Sequence, residues 1–169
     1  MQDTLRIAGV IRESIVDGPG LRYTIFTQGC PHRCRGCHNP QTHDPCGGKA
    51  VSIDRIAASV FQNPLLAGVT FSGGEPFLQP EPLYYLSLRL HEKGLNIFCY
   101  TGYRYEELLE MAKADVFIGK LLEQIDVLVD GRFTEKERDL TLKFRGSRNQ
   151  RLINVPSSLR RKTVVNLTM

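Results

Sequence analysis

Between Gly29 and Thr42 the chain reads GCPHRCRGCHNPQT, which sets Cys30, Cys34 and Cys37 within eight residues. Thiolates at this Cys-x3-Cys-x2-Cys spacing can reach one small inorganic core. An iron–sulfur cubane offers four iron corners and is usually held by four cysteines; this loop supplies three. Zinc is the alternative. A closed structural zinc site takes four nitrogen or sulfur ligands, often from two separated pairs. His32, His38 or Cys46 could complete such a set, yet the chain has no second Cys-x2-Cys. Unligated thiols are a third reading. If a cluster forms and no side chain fills its fourth corner, one iron stays open. An amine and a carboxylate of a small molecule can chelate it, which sets a sulfonium beside a reduced cluster.

The other two cysteines stand apart. Cys99, inside the apolar run Asn96-Ile97-Phe98-Cys99-Tyr100, reads as a small buried hydrophobe. Five cysteines is an odd number, and a reducing compartment keeps thiols free, so no disulfide framework is expected. The first residues, MQDTLRIAGV, lack the basic-then-apolar pattern of a secretory signal. No apolar run reaches the roughly 18 residues of a spanning helix. The chain is therefore expected to be cytoplasmic, with no membrane partner.

The elements that must position these thiols follow from periodicity. The chain has 169 residues, 41% apolar and 24% charged, ordinary for one soluble domain spanning 1–169. Leu5, Ile7, Ile11 and Ile15 alternate as on a half-buried strand. Asp17-Gly18-Pro19-Gly20 turns the chain, and Arg22–Thr27 (RYTIFT) reads as a strand leading into the cluster loop, residues 29–42. Ser52 caps a helix carrying Ile53, Ile56, Ala57, Val60 and Phe61. Leu66–Phe71 is a short strand, and Pro82–Lys93 a helix with Leu83, Leu86 and Leu90 inward and Gly94 past its end. Leu95–Tyr100 is a strand, followed by a helix from near Tyr105 with Leu108, Leu109 and Ala112. Asp126–Asp130 and Leu152–Val155 are further strands. Strands alternating with helices imply parallel βαβ units. An eight-fold barrel needs about 250 residues, so the expectation is an α/β partial barrel of five or six units with a mainly parallel sheet. Chemistry in such folds gathers at the C-terminal ends of the strands. The cysteines, Ser72-Gly73-Gly74-Glu75-Pro76 and Thr101-Gly102-Tyr103 all fall at such ends.

Charge is uneven. Residues 132–162 hold ten Lys/Arg against three Asp/Glu, whereas residues 1–131 hold twelve against fifteen. The basic C-terminal region, 132–169, suits either nucleic acid or a negatively charged protein. A solvated surface is the plain alternative.

Taken together, the motifs resemble those of the radical S-adenosylmethionine enzymes. Cys30-Pro31-His32-Arg33-Cys34-Arg35-Gly36-Cys37 is similar to their cysteine signature, and Ser72-Gly73-Gly74-Glu75-Pro76 to their glycine–glycine–glutamate motif. Within that superfamily the chain most resembles the activating proteins of anaerobic ribonucleoside-triphosphate reductases. The segments that carry the likeness are DGPGLRYTIFTQGC (17–30), CHNPQT (37–42), TFSGGEP (70–76), YTGY (100–103), DVLVDGRF (126–133) and FRGSRNQR (144–151). Many superfamily members have an aromatic residue just before the third cysteine. Gly36 stands there instead, as in reductase activators, and His38 could take over adenine stacking or simply order the turn.

The resemblance implies a [4Fe–4S] cluster on Cys30, Cys34 and Cys37, with S-adenosyl-L-methionine on the fourth iron. It implies cofactor contacts from Gly36, Cys37, His38, Ser72, Gly73 and Gly74, and from Glu75 toward the cofactor's ammonium. The implied product is a glycyl radical on the reductase, with reduced flavodoxin or a similar donor supplying the electron and no nucleic acid involved. No side-chain acid–base pair is required, so no catalytic residue is expected beyond the cluster and cofactor. Asp17-Gly18-Pro19-Gly20 reads either as facing the protein substrate, because the next strand leads directly into the cluster loop, or as a plain turn. Other readings are an activase of a different glycyl-radical enzyme, a small-molecule radical enzyme such as 7-carboxy-7-deazaguanine synthase, and a zinc-stabilised partner-binding module.

Overall fold

Runs rich in β-branched and aromatic residues become strands, and the apolar repeats between them become helices. The structure, a computed structural model, describes residues 2–169. Its strands are β1 (Thr4–Ser14), β2 (Arg22–Thr27), β3 (Lys49–Ser52), β4 (Gly68–Gly73), β5 (Asn96–Tyr100), β6 (Val127–Asp130) and β7 (Arg151–Asn154). Its helices are α1 (Ile53–Phe61), α2 (Pro80–Glu92), α3 (Tyr105–Met111), α4 (Val116–Gln124) and α5 (Val155–Arg161).

The seven strands form one sheet in the order β3-β1-β2-β4-β5-β6-β7. Strands β2, β4, β5 and β6 run parallel. Strand β1 pairs antiparallel with β2 and β3, and β7 antiparallel with β6. The expected βα frame is thus four parallel strands joined by three crossovers, not five or six units. The long connections 28–48 and 131–150 take up chain that further units would need. Strands β3 and β7 end the sheet without pairing to each other, so the sheet is open.

Side chains alternate between the two faces along each strand. Tyr23, Ile25, Val69, Phe71, Ile97, Cys99 and Leu128 pack into one core with Leu83, Leu86 and Leu90 of α2 and Leu121 of α4. The opposite face carries Phe98, Val129 and Leu152, with Tyr100 and Phe144 against them. On β2 and β4 that second face is polar: Arg22, Thr24 and Thr70 are all fully buried there. Ser52 caps α1 by accepting from the Arg55 amide at 3.2 Å, as its position predicts.

The alternation predicted for the first strand holds for Leu5 and Ile7 only. The β1–β2 register shifts between Ile7 and Gly9 and again between Ile11 and Ser14, and Ile11 and Ile15 emerge exposed. A one-residue slip moves side chains to the other face. Leu109 is likewise exposed, while Leu108 is buried. Helices α4 and α5 and strand β3 have no counterpart in the sequence reading. Gly119 interrupts the helical pattern of α4, α5 has seven residues, and β3 is held by its pairing with Thr4–Ile7. Among the described residues, no helix is long and apolar enough to cross a membrane.

Candidate active site

Parallel register brings the strand ends together. Thr27 lies beside Gly73, and Tyr100 beside Val129. The chain leaves β2 directly into the cysteine loop, leaves β4 through Gly73-Gly74-Glu75, and leaves β5 through Thr101-Gly102. These ends border a cavity of about 490 Å³. Cys30, Cys34, Cys37, His38, Ser72, Gly73 and Gly74 all line it. Gly36 and Glu75 do not.

The three cysteines are half-buried and unpaired, Cys46 is exposed, and Cys99 is fully buried. Burial pushes the Cys30 and Cys34 thiols upward in pKa, so both stay protonated until a metal displaces the proton. Burial likewise raises the Cys99 thiol well above its usual range, which fits its reading as a core hydrophobe. Among the described residues, no three His, Cys, Asp or Glu side chains converge to hold a single metal ion. The thiols stand around a cavity instead. A polynuclear cluster asks for this, because each iron corner takes its own thiolate.

The glycines have a different physical reason from the one the motif suggests. A Cβ on Gly73 would sit 2.5 Å from the Thr27 amide nitrogen and 2.6 Å from Phe26 backbone. A Cβ on Gly74 would sit 2.3 Å from the Gly29 carbonyl oxygen. Gly73 also has φ +94, in the left-handed region. Both glycines therefore let the end of β4 press against the start of the cysteine loop. Gly36 has φ +77, and a Cβ there would meet the Phe133 ring at 3.3 Å.

Glu75, expected to face the cofactor's ammonium, is met by protein donors. It has no exposed surface, and both of its oxygens are taken. Oε1 accepts from the Thr101 hydroxyl at 2.8 Å and the Phe77 amide at 3.0 Å. Oε2 accepts from His32 Nε2 at 2.7 Å and the Gly102 amide at 2.8 Å. A carboxylate with four donors has little capacity left for an ammonium.

Residues outside the cysteine and glycine motifs, from two stretches the sequence also singles out, line the cavity as well. Arg145 lies on a turn strapped to the end of β6. Gln150 Oε1 accepts from the Gly146 and Ser147 amides at 2.8 and 3.1 Å, and Gln150 Nε2 donates to the Gly131 carbonyl at 3.0 Å. Phe144 begins that turn at φ +60, costly for a residue with a Cβ. The FRGSRNQR string was a visible signal for this turn, but it has no strict phosphate-loop spacing. Asp17 also lines the cavity, held through Oδ2 by the Ser14 and Thr24 hydroxyls at 2.6 and 3.1 Å. Behind it, the buried Arg22 donates to Thr70 Oγ1 at 2.7 Å and the Pro19 carbonyl at 3.0 Å. Burial pushes its pKa down to about 10, outweighing the opposing pull of the Asp126 and Asp17 charges.

Two buried polar atoms among the cavity residues lack any partner, Arg145 Nε and His43 Nε2. Such orphans call for a polar ligand. A guanidinium N–H suits a carboxylate, and three thiols suit iron. The residues present therefore fit a thiolate-held cluster with a small amino-acid-containing cofactor beside it.

Comparison with known proteins agrees. Residues 16–153 match the family model described as a 4Fe-4S single cluster domain. The anaerobic ribonucleoside-triphosphate reductase-activating protein of Pasteurella multocida (strain Pm70) is 36% identical over 146 residues, covering 80% of this chain and 89% of that one. The protein of the same name from Enterobacteria phage T4 is 32% identical over 146 residues, covering 81% and 86%. A pyruvate formate-lyase-activating enzyme from Clostridium pasteurianum is 40% identical over 114 residues, but these cover 62% of this chain and 48% of that enzyme. With the likeness to the first two running over most of both chains, this protein belongs to the family of anaerobic ribonucleoside-triphosphate reductase-activating proteins, built on a 4Fe-4S single cluster domain.

Proposed function

We propose that this protein activates an anaerobic ribonucleoside-triphosphate reductase by generating a glycyl radical on it. The observation that carries the reading is the convergence of Cys30, Cys34 and Cys37 with Gly73 and Gly74 on one cavity at the C-terminal ends of parallel strands. When a [4Fe–4S] cluster and S-adenosyl-L-methionine are bound, the chemistry supplied is one-electron cleavage of the cofactor's C5′–S bond, balanced by removal of a Cα hydrogen atom from a reductase glycine, giving methionine, 5′-deoxyadenosine and the glycyl radical. A low-potential donor of the reduced-flavodoxin type provides the electron.

The chain's own residues bind and position. Cys30, Cys34 and Cys37 hold the metal. Ser72, Gly73 and Gly74 offer backbone beside it, and His38, 5.3 Å from the Phe133 ring, gives an aromatic surface at the rim. Arg145 offers an unused N–H for the cofactor's carboxylate. Asp17 lies where the substrate loop would approach, and the open sheet, read as a partial barrel, leaves that side accessible. The single domain is read as cytoplasmic, with no nucleic acid or membrane partner.

Anaerobic reconstitution followed by incubation with S-adenosylmethionine, a reductant and the reductase tests this. Iron and sulfide in the protein and a glycyl doublet by spin resonance on the reductase are expected. A doublet only on a pyruvate formate-lyase partner would move the assignment to another glycyl-radical enzyme. One zinc and no absorbance band would leave a binding module.

A further inference from the structure

The Thr101-Gly102-Tyr103 segment has no part in the function above, yet it closes around a single side chain. His32, between the first and second cysteines, has a side chain only 4% exposed. Its Nε2 donates to Glu75 Oε2 at 2.7 Å. Its ring meets Tyr103 edge to face, with centroids 4.5 Å apart. Gly102 leaves the room: a Cβ there would lie 2.3 Å from the His32 ring. The same Glu75 is fixed by the Thr101 hydroxyl and the Gly102 amide. Another side-chain tie from the cysteine loop, Arg35 to Glu135, is at the surface with Arg35 93% exposed, where ion pairs hold little.

We propose that Glu75 and the 101–103 turn form a socket for His32, which holds the cysteine loop in its metal-ready shape before metal arrives. Glu75 is then a positioning residue for cluster assembly, acting through His32, and does not receive the cofactor's ammonium. This rests on Cys30, Cys34 and Cys37 being the cluster ligands. Outer-shell partners of this sort typically change metal affinity by about 10–100-fold.

Three variants test it: His32→Ala, Gly102→Ala and the double. Gly102→Ala evicts the imidazole while leaving Glu75 and every cysteine in place. In the metal-free chain, hydrogen exchange of the Cys30 and Cys37 amides, which donate to the His43 and Cys34 carbonyls, should quicken about tenfold or more in each variant, with β4 and β5 amides unchanged. In anaerobic reconstitution, half-loading should need about tenfold more iron. The double variant should match the singles, because both changes empty one socket. Loop exchange and iron loading equal to wild type in His32→Ala and Gly102→Ala overturn the proposal, as does an additive double. If Gly102→Ala unfolds by circular dichroism, His32→Ala decides the matter by the same two readouts. A wild-type chain that loads no iron and sulfide would instead sink the cluster reading, while the exchange measurement would still judge the socket.

Discussion

Arg145 illustrates how one atom can carry a testable consequence. Its Nε is buried among the cavity residues without a partner, so a carboxylate arriving there gains a charge-assisted hydrogen bond at no competing cost. Arg145→Ala is expected to weaken S-adenosylmethionine binding roughly tenfold or more, measured by calorimetry on the reconstituted protein. Arg145→Lys should recover only part of this, because an ammonium lacks the planar fork. Unchanged affinity in the alanine variant would remove Arg145 from the cofactor site. Cys99 makes the opposite case. It is fully buried in the helix-side core, where its thiol donates to the Tyr100 carbonyl at a long 3.5 Å, so Cys99→Ser should keep the full iron content and lose about 1–3 kcal/mol in urea unfolding, the cost of burying a poorly paired hydroxyl. Cys46→Ser, at an exposed position, should change neither quantity.

At the level of elements, the edge strand β7 is tied to the rest of the fold by charge. Arg151 donates to the buried Asp130 at the end of β6 and, through two nitrogens, to Glu106 on α3 at 3.1 and 2.8 Å. Asp130 also accepts from the Tyr105 amide at 2.7 Å, capping the start of α3. The hydrogen bonds from Arg151 lower the Glu106 pKa. A depressed folded-state pKa means the contribution is complete above the unfolded carboxylate range, near 4.3, and fades as pH falls through the lower folded value. The stability difference between the metal-free wild type and Glu106→Gln should therefore be present at pH 7 and shrink as the pH is lowered below the unfolded carboxylate range. Because Glu106 is more than half exposed, it should not exceed about 1 kcal/mol. A difference that does not shrink at all with acid would show that the ion pair is not its source.

For the whole molecule, the charge imbalance acquires a location. The basic stretch that starts at Arg132 supplies Phe133, Phe144, Arg145 and Gly146 to the cavity, while Arg132, Lys136, Arg138, Lys143 and Arg148 are exposed. A positive rim beside the reactive cavity should steer an acidic partner surface toward it. Association with the reductase is thus expected to weaken steeply between about 50 and 200 mM salt, over which the screening length roughly halves, from about 14 to about 7 Å. Sedimentation across that range checks it. A flat response would take the basic rim out of docking.

What the sequence settled by itself was local. Cys30, Cys34 and Cys37 lie so close along the chain that almost any folded loop leaves them near one another, and the period-2 and helical repeats named β2, β5, α1 and α2 without tertiary knowledge. The edges were less legible. The bulged end of β1 turns Ile11 outward because the strand slips register against β2, Ile15 lies past the strand's end, and β3 is held by pairing with β1. The site beyond the cysteines was decided in three dimensions. Glu75 meets Thr101 and Gly102, 26 and 27 residues away, and His32, 43 residues away; Arg145 reaches the cavity through a turn anchored on Gly131. Hydrogen-bond saturation depends on which distant groups the sheet brings within 3 Å. A motif can show that a carboxylate is present at Glu75, but only packing decides which donors fill it.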